Sequence, residues 1–340
     1  MKRQKQLLCT LTALLGGLAL AGLALGAPLT PAKAVLIPLY FQYDAQPRKE
    51  RIIDFPKDYS LGQIAIAPYL GTDADAGMKG AARGKVVVPA KRFSWFIPAH
   101  RFYLNPASIN VLDPDSIDKI SLAAASLDDS EDGLCDRSIR YVSHLKGLIS
   151  LDLDRSDATD AGAKDVDKLP NLQRFSAFMA MLDGSCFKYF SKLKKLRDIE
   201  VQGNYIKDEN LKYLAAIPNL EFLDLSQTGL SDNGIKGLAN SPQLKLLNIS
   251  SNPRITDASV DTLITLKKLN NLIIAGTSMT VSGITRLKSL PIASITLPNA
   301  YYSEYEMRKL RQAFPNSSIC FPRKGKIVTP ELNKLYAPLH

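Results

Sequence analysis

Between Leu148 and Leu297 the apolar positions of the chain follow one phrase. Leu148, Leu172, Leu196, Leu220 and Leu244 lie 24 residues apart, each opening L-x-x-[LIF]-x-[LVIA], and further copies begin at Leu269 and Ile292. In this frame positions 1, 4 and 6 are apolar, and position 9 carries Ser156, Asn204, Thr228, Asn252 or Thr277. A second apolar set follows at a spacing of three, as in Leu211-Leu214-Ile217, Val260-Leu263-Leu266 and Ile284-Leu287-Leu290. The alternating half predicts a strand with one buried side, and the threefold spacing predicts a short helix with one apolar stripe. A strand, a turn and a short helix cannot bury their apolar side alone. Stacked copies can, so the pattern predicts an α/β solenoid.

The flanks read differently. Ile117-x-x-Ile120-x-Leu122 is an irregular first repeat. Upstream, runs such as Val35–Tyr43, Gln63–Ala67, Lys85–Pro89 and Phe93–Ile97 are β-branched or aromatic and are parted by Pro, Gly and Asp, as strands joined by turns would be. Residues 35–115 are expected to form a small β module that covers the open apolar end and unpaired edge of the array. Its aromatics, Trp95 and Tyr103 among them, are assigned to a core, with exposed glycan-binding aromatics as the alternative. Repeats are expected over residues 116–300. After them Met307 and Leu310 continue one helical face, Phe314-Pro315 ends it, and Ile319 opens a last strand, so residues 301–340 read as a closing cap with a basic tail.

In each repeat, positions 4 and 6 point inward, which sends positions 3, 5 and 7 to the other side of the sheet. On its N-terminal half that open side holds Asp152, Asp154, Asp198, Glu200 and Asp224 with Arg174, and displays Phe178 and Phe222. At the turns, Thr159-Asp160, Ser231-Asp232 and Thr256-Asp257 recur. A Ser or Thr hydroxyl at a helix N-cap accepts a backbone N–H, and Asp in the first turn complements the helix dipole, which accounts for the phrase without calcium.

Charge sharpens the contrast between the sides. The 43 Lys and Arg against 33 Asp and Glu give a net charge of +10. Residues 1–34 begin with Lys2, Arg3 and Lys5, continue with an apolar run from Leu7 to Ala27, and end in Ala32-Lys33-Ala34, the small-x-small pattern of an export signal cleaved after Ala34. An uncleaved membrane anchor through residues 7–27 is the alternative. Cleavage removes four cations and no acid, leaving +6. The acidic open side therefore opposes the sign of the mature chain. Of the four cysteines, Cys135, Cys186 and Cys320 follow the leader; an odd count argues against a disulfide framework.

The phrase L-x-x-L-x-L-x-x-[NT]-x-[IL]-[TS]-D with a short helix after it resembles the leucine-rich repeat family. Thr159-Asp160-Ala161-Gly162 and Ser231-Asp232-Asn233-Gly234 are similar to the Thr-Asp-x-Gly signature of its 24-residue bacterial subtype. Gly184, Lys207 and Val281 depart from it, standing where Asp, an N-cap hydroxyl and Asp are expected. The resemblance implies a horseshoe with a parallel sheet on its concave side and short helices on its convex side. It also implies protein recognition on that sheet, and no catalytic residues.

Chemistry is sparse. His100, His144 and His340 are far apart in sequence, with no His or Cys at metal-ligand spacing. Gly80-Ala81-Ala82-Arg83-Gly84-Lys85 is one residue short of a phosphate loop, and Val86 replaces its hydroxyl residue. No cofactor is expected. The sequence points to an exported, monomeric, non-enzymatic recognition protein that takes a basic or amphipathic peptide or protein on Asp152, Asp154, Arg174, Phe178, Asp198, Glu200, Phe222 and Asp224. An acidic face disfavours nucleic acid. The alternatives are a structural protein of the cell envelope and a hydrolase using Asp152 and Asp224. The second needs a pocket that a flat, wet sheet does not provide.

Overall fold

Strands form where the apolar alternation predicts them, since successive side chains on extended backbone point to opposite faces. The computed structural model describes residues 48–68, 70, 79–123, 133–239, 241–321 and 326–328. The leader, Cys9 and the expected strand Val35–Tyr43 lie outside the described residues. In chain order the strands are β1 (Arg51–Asp54), β2 (Gly62–Ala67), β3 (Lys79–Ala81), β4 (Lys85–Val88), β5 (Phe93–Pro98), β6 (Lys119–Ser121) and β7 (Ser150–Asp152). There follow β8 (Arg174–Ser176), β9 (Asp198–Glu200), β10 (Phe222–Asp224), β11 (Leu246–Asn248), β12 (Asn271–Ile273), β13 (Ser294–Thr296), β14 (Ser318–Phe321) and β15 (Lys326–Val328).

One sheet joins all of these except β1 and β4, in the order β15-β14-β13-β12-β11-β10-β9-β8-β7-β6-β5-β2-β3. From β5 to β14 neighbouring strands are parallel. The register never slips: Ser150, Arg174, Asp198, Phe222, Leu246, Asn271 and Ser294 stand abreast. Helical turns such as Asp160–Ala163, Asp232–Lys236 and Val260–Thr265 return the chain to the next strand, so the predicted α/β solenoid is what forms. The irregular repeat at Ile117 supplies β6, in parallel with β7.

The N-terminal strands extend this sheet. β2, paired antiparallel with β3 and β5, continues it past the first repeat, while β1 and β4 make a separate antiparallel ribbon. Trp95, Phe96, Phe102 and Tyr103 are buried, and a single apolar cluster runs from Ile53 through the repeats to Phe321. At the other end, a helix at Glu304–Ala313 opens with a capping box between Ser303 and Glu306, β14 pairs parallel with β13, and β15 turns back antiparallel to β14. Part of the expected basic tail is thus a sheet edge.

The interior shows why the frame is kept. Positions 1, 4 and 6 are buried along the array, as in Leu196, Ile199 and Val201, each worth about 1.5–3 kcal/mol for a side chain of this size. In the repeat with Ala177 at position 6, Phe175, Phe187 and Phe190 fill the volume, with ring centroids 5.1 Å apart for Phe175–Phe190 and 5.8 Å for Phe187–Phe190. Position 9 serves the backbone. The amide of Asn252 accepts from Thr228 N–H (3.2 Å) and Leu230 N–H (3.0 Å) and donates to the carbonyls of Leu225 (2.9 Å) and Ile249 (3.1 Å), so one buried side chain serves two repeats.

The recurring Thr-Asp turn does more than start a helix. Thr159, Ser231, Thr256 and Thr280 do cap their own helical turns. The Asp, however, reaches the next repeat: Asp232 accepts from Thr256 N–H (2.9 Å) and hydroxyl (2.8 Å), and Asp257 from Thr280 N–H (2.8 Å) and hydroxyl (2.5 Å). These acids stand in the first turn of their own helices, as expected, and in addition form a joint between repeats. The joint also explains the glycine of Thr-Asp-x-Gly. A Cβ on Gly234 would lie 2.5 Å from Asp208 Oδ1, and one on Gly283 2.0 Å from Asp257 Oδ1. Where Ser259 takes the glycine's place, its hydroxyl donates to Asp232. The departures compensate each other: Gly184 offers no carboxylate, Lys207 offers no hydroxyl, and Lys207 Nζ instead meets Asp183 Oδ2 at 2.8 Å.

Candidate functional site

The eight residues singled out in the sequence fall on four adjacent strands and their exits. Arg174, Asp198 and Phe222 stand in one row across β8, β9 and β10, and Asp152, Ser176, Glu200 and Asp224 in the next. Asp154 and Phe178 lie just past the ends of β7 and β8. All are on the side of the sheet away from the apolar cluster, because the intervening Leu151, Phe175, Ile199 and Leu223 are buried in it.

They do not form the free acidic field that composition suggests. Arg174 sits between two carboxylates, with Nε 3.2 Å from Asp198 Oδ2 and an Nη 2.7 Å from Glu200 Oε1. The other acids hold backbone. Asp152 accepts from Asp154 N–H at 3.0 Å, and Asp224 accepts from Ser226 N–H at 2.8 Å and from Asn248 Nδ2 at 2.8 Å. Asp154 accepts from the Ser176 hydroxyl (2.6 Å) and Phe178 N–H (2.8 Å) in the following repeat. Position 5 thus favours Asp or Asn because the side chain closes the turn that ends the strand, as Asn248 does for Ser250 N–H. Phe178 and Phe222 are half-buried, and the guanidinium of Arg155 lies 5.1 Å from the Phe178 ring centroid.

Burial is deeper than a wet sheet allows. Asp198 is only 2% exposed. Desolvation, reinforced by Glu200 alongside, pushes its carboxyl well above the ordinary range, and Arg174 pulls it back. Asp224 is raised by burial against its hydrogen bonds. Asp154 is raised to about 6, first by burial and then by Asp152 beside it. The expectation of flat, solvent-screened acids is corrected on this point. Away from these strands, a cavity of about 400 Å³ is lined by Arg48, Lys49, Glu50, Arg51 and Asp115.

Three features escape the sequence frame. Lys119 and Trp95 belong to the same open row as Arg174, with the ammonium 3.8 Å from the indole centroid and the indole N–H donating to Ser121 Oγ at 2.8 Å. Position 8 of the frame is left-handed from the copy at Leu148 to that at Leu269: Arg155, Met179, Gln227 and Ser251 have φ of 56°, 52°, 55° and 57°, and Gly203 and Gly276 follow the same path at 76° and 73°. Finally, Met179, Met181 and Tyr205 project from the strand exits. Apolar residues at positions 8 and 10, where other repeats carry Gly229 or Pro253, are the signal that could have found them.

Among the described residues no group of three or more His, Cys, Asp or Glu side chains is placed to hold a metal ion, and no helix is long and apolar enough to cross a membrane. Cys135 and Cys186 are buried and Cys320 is partly buried, with Cys135 Sγ donating to the Leu122 carbonyl at 3.5 Å.

Residues 216–239 match the family model described as Leucine Rich repeat. No curated protein matches the chain. Among solved structures, an internalin (inlF) from Listeria monocytogenes is similar at 19% identity and a TM-score of 0.45, over 61% of this chain and 54% of the internalin. An internalin C2 (inlC2) from the same species is similar at 19% identity and a TM-score of 0.40, over 55% of this chain and 82% of that one. This chain therefore spans about half the length of the first of these structures. Strand by strand, and in the copy at residues 216–239, the fold is that of a leucine-rich repeat solenoid.

Proposed function

We propose that this protein is a non-enzymatic recognition module that binds a basic or amphipathic peptide or protein on the open sheet face from β7 to β10. The observation that carries this reading is the surplus of carboxylates: Asp152, Asp154, Asp198, Glu200 and Asp224 share the face with Arg174, which pairs with Asp198 and Glu200. Burial has already raised Asp154 and Asp224, so each gains from a cation brought alongside. A partner's Lys or Arg supplies it, and the match of sign also speeds encounter. Export is proposed from the leader pattern of residues 1–34, and a periplasmic, secreted or cell-surface location follows from it.

The test is a binding titration with a fluorescent Lys-rich amphipathic peptide on wild type and on the Asp152→Lys, Glu200→Lys, Phe222→Ala variant. We expect affinity to fall by at least roughly tenfold and its salt dependence to flatten. Unchanged affinity and salt response would show that this is the wrong surface. Mass determination of the native N-terminus separates release from anchoring, with Val35 marking the first and Met1 the second.

The raised carboxyl of Asp154 favours one second reading, a hydrolase acting on glycans with Asp154 as the acid. Turnover of a cell-wall glycan by the mature protein, abolished in Asp154→Asn, would establish it.

A further inference from the structure

The large apolar side chains most open to solvent on the repeat array lie together, on the edge where the strands of the acidic face end. Met179 is 46% exposed, Met181 67% and Tyr205 78%. They occupy two consecutive turns, which the backbone ladder ties together through Met179 N–H to Gln202 O at 2.9 Å. Met179 and Tyr205 each lean over a glycine of the next repeat. A Cβ on Gly203 would meet Met179 Cγ at 2.8 Å, and one on Gly229 would meet the Tyr205 ring at 3.5 Å. Missing side chains at Gly203 and Gly229 thus leave room for the ones that protrude. The left-handed backbone at Met179, with φ of 52°, turns its side chain off the end of the strand. Nothing in the fold requires apolar residues there, since the equivalent turns carry Arg155, Gln227 and Ser251 with the same backbone.

This ledge borders the acids. Asp154 and Phe178 lie at the strand exits beside it, with Phe178 N–H donating to Asp154 one residue before Met179. An occupant therefore meets apolar side chains on one side and carboxylates on the other. Charge complementarity asks for a segment with an apolar stripe flanked by Lys or Arg. Spacing chooses its conformation. Successive repeats advance by about 4.8 Å, close to the 5–6 Å between Cβ atoms of residues three or four apart on a helix, whereas alternate residues of an extended chain stand about 6.6 Å apart. Methionine suits such a role because its thioether side chain adapts to the surface it meets, and Tyr205 adds a rigid ring of large contact area.

We infer that Met179, Met181 and Tyr205 form a docking ledge for the apolar face of a basic amphipathic helix, whose cationic flank lies on Asp154 and Glu200. This rests on the proposed acidic recognition face and adds to it the anchor and the conformation of the ligand.

Two labelled peptides of identical Leu and Lys composition test it, one with Leu at helical spacing and one with Leu and Lys alternating. Anisotropy titrations use the wild type, the ledge variant Met179→Ser/Met181→Ser/Tyr205→Ser, and the charge variant Asp152→Asn/Glu200→Gln. All substituted side chains are partly or largely exposed, and thermal melts check that the variants fold. The wild type should bind the helical pattern roughly tenfold more tightly than the alternating one. The ledge variant should lose that preference while keeping the shared, salt-sensitive binding, and the charge variant should weaken both peptides. Preference retained in the ledge variant, or absent from the wild type, overturns the ledge and leaves the acidic face standing. Affinity unchanged in the charge variant overturns the acidic face itself. Self-association of the wild type in sedimentation, abolished by the ledge substitutions, would assign the ledge to a second copy of this chain and overturn the inference.

Discussion

Asp154 carries two opposed demands. Its Oδ1 accepts from the Ser176 hydroxyl and from Phe178 N–H, which favours an acceptor there, while burial and the neighbouring Asp152 disfavour its charge. With its folded pKa raised to about 6, above the ordinary Asp value of about 3.9, the folded state holds this proton more tightly than the unfolded chain does. Its contribution to stability is therefore fully present below about pH 4 and is lost as pH rises through about 6. Asn keeps the accepting oxygen and removes the charge. Asp154→Asn should raise stability at pH 7 by about 1 kcal/mol after allowance for partial solvent screening, and should be neutral at pH 4. Urea titrations at the two pH values measure this. Equal effects at both would mean that the carboxylate is not strained. The opposite sign belongs to Asp183, which the Lys207 ammonium holds well below the ordinary range, so its contribution is present above about pH 4 and is lost as pH falls further.

At the scale of the element, the unit of this fold is the joint rather than the repeat. Asp208 accepts from Ser231 N–H at 3.0 Å and from the Ser231 hydroxyl, and Gly234 leaves the space its carboxylate occupies. Gly234→Ala should cost about 2 kcal/mol by overpacking, and Gly80→Ala, where a Cβ meets nothing within 4 Å, should cost far less. Because the clash is with Asp208 itself, Asp208→Ala should relieve part of it, so the double variant should be more stable than the sum of the singles by about 1 kcal/mol. Strict additivity in chemical denaturation would sink the joint. The sequence makes much of this legible. A 24-residue period and the burial of positions 1, 4 and 6 follow from solvent exclusion alone, and the strand register follows from the period. The partner of each Asp is not legible, because the helix dipole of its own repeat and the hydroxyl of the next one explain the same letters. The candidate site has the same character. Its eight residues could be placed on one face by counting, yet the hydrogen bonds that occupy Asp152, Asp154 and Asp224 depend on how adjacent strands lean together. Met179 and Tyr205 were hidden because the period that assigns strand residues to faces says nothing of a turn with left-handed backbone.

On the scale of the described solenoid, the N-terminal strands and the repeats share one sheet and one apolar cluster, so they should unfold as a unit. Asp118 is the tie between them. Fully buried at the entry to β6, it accepts from Ser94 N–H of β5 at 2.7 Å and pairs with Arg48 at 2.9 Å and with Arg51 of β1, while Arg51 Nε reaches the Ser116 carbonyl at 3.1 Å. Removing one partner of a buried ion network leaves the other charges without compensation, a loss of about 3–5 kcal/mol. The loss falls at the junction and not along the array. Trp95, the only tryptophan of the chain, reports on this place because it pairs with Lys119 across β5 and β6, whereas far-ultraviolet circular dichroism is dominated by the repeats. In wild type the two signals should trace one urea transition. In Asp118→Ala the Trp95 transition should move to lower urea and separate from the dichroism transition, which keeps its midpoint. If both curves move together and stay superimposed, the junction has no stability of its own to lose, and the N-terminal strands are an inseparable first turn of the solenoid.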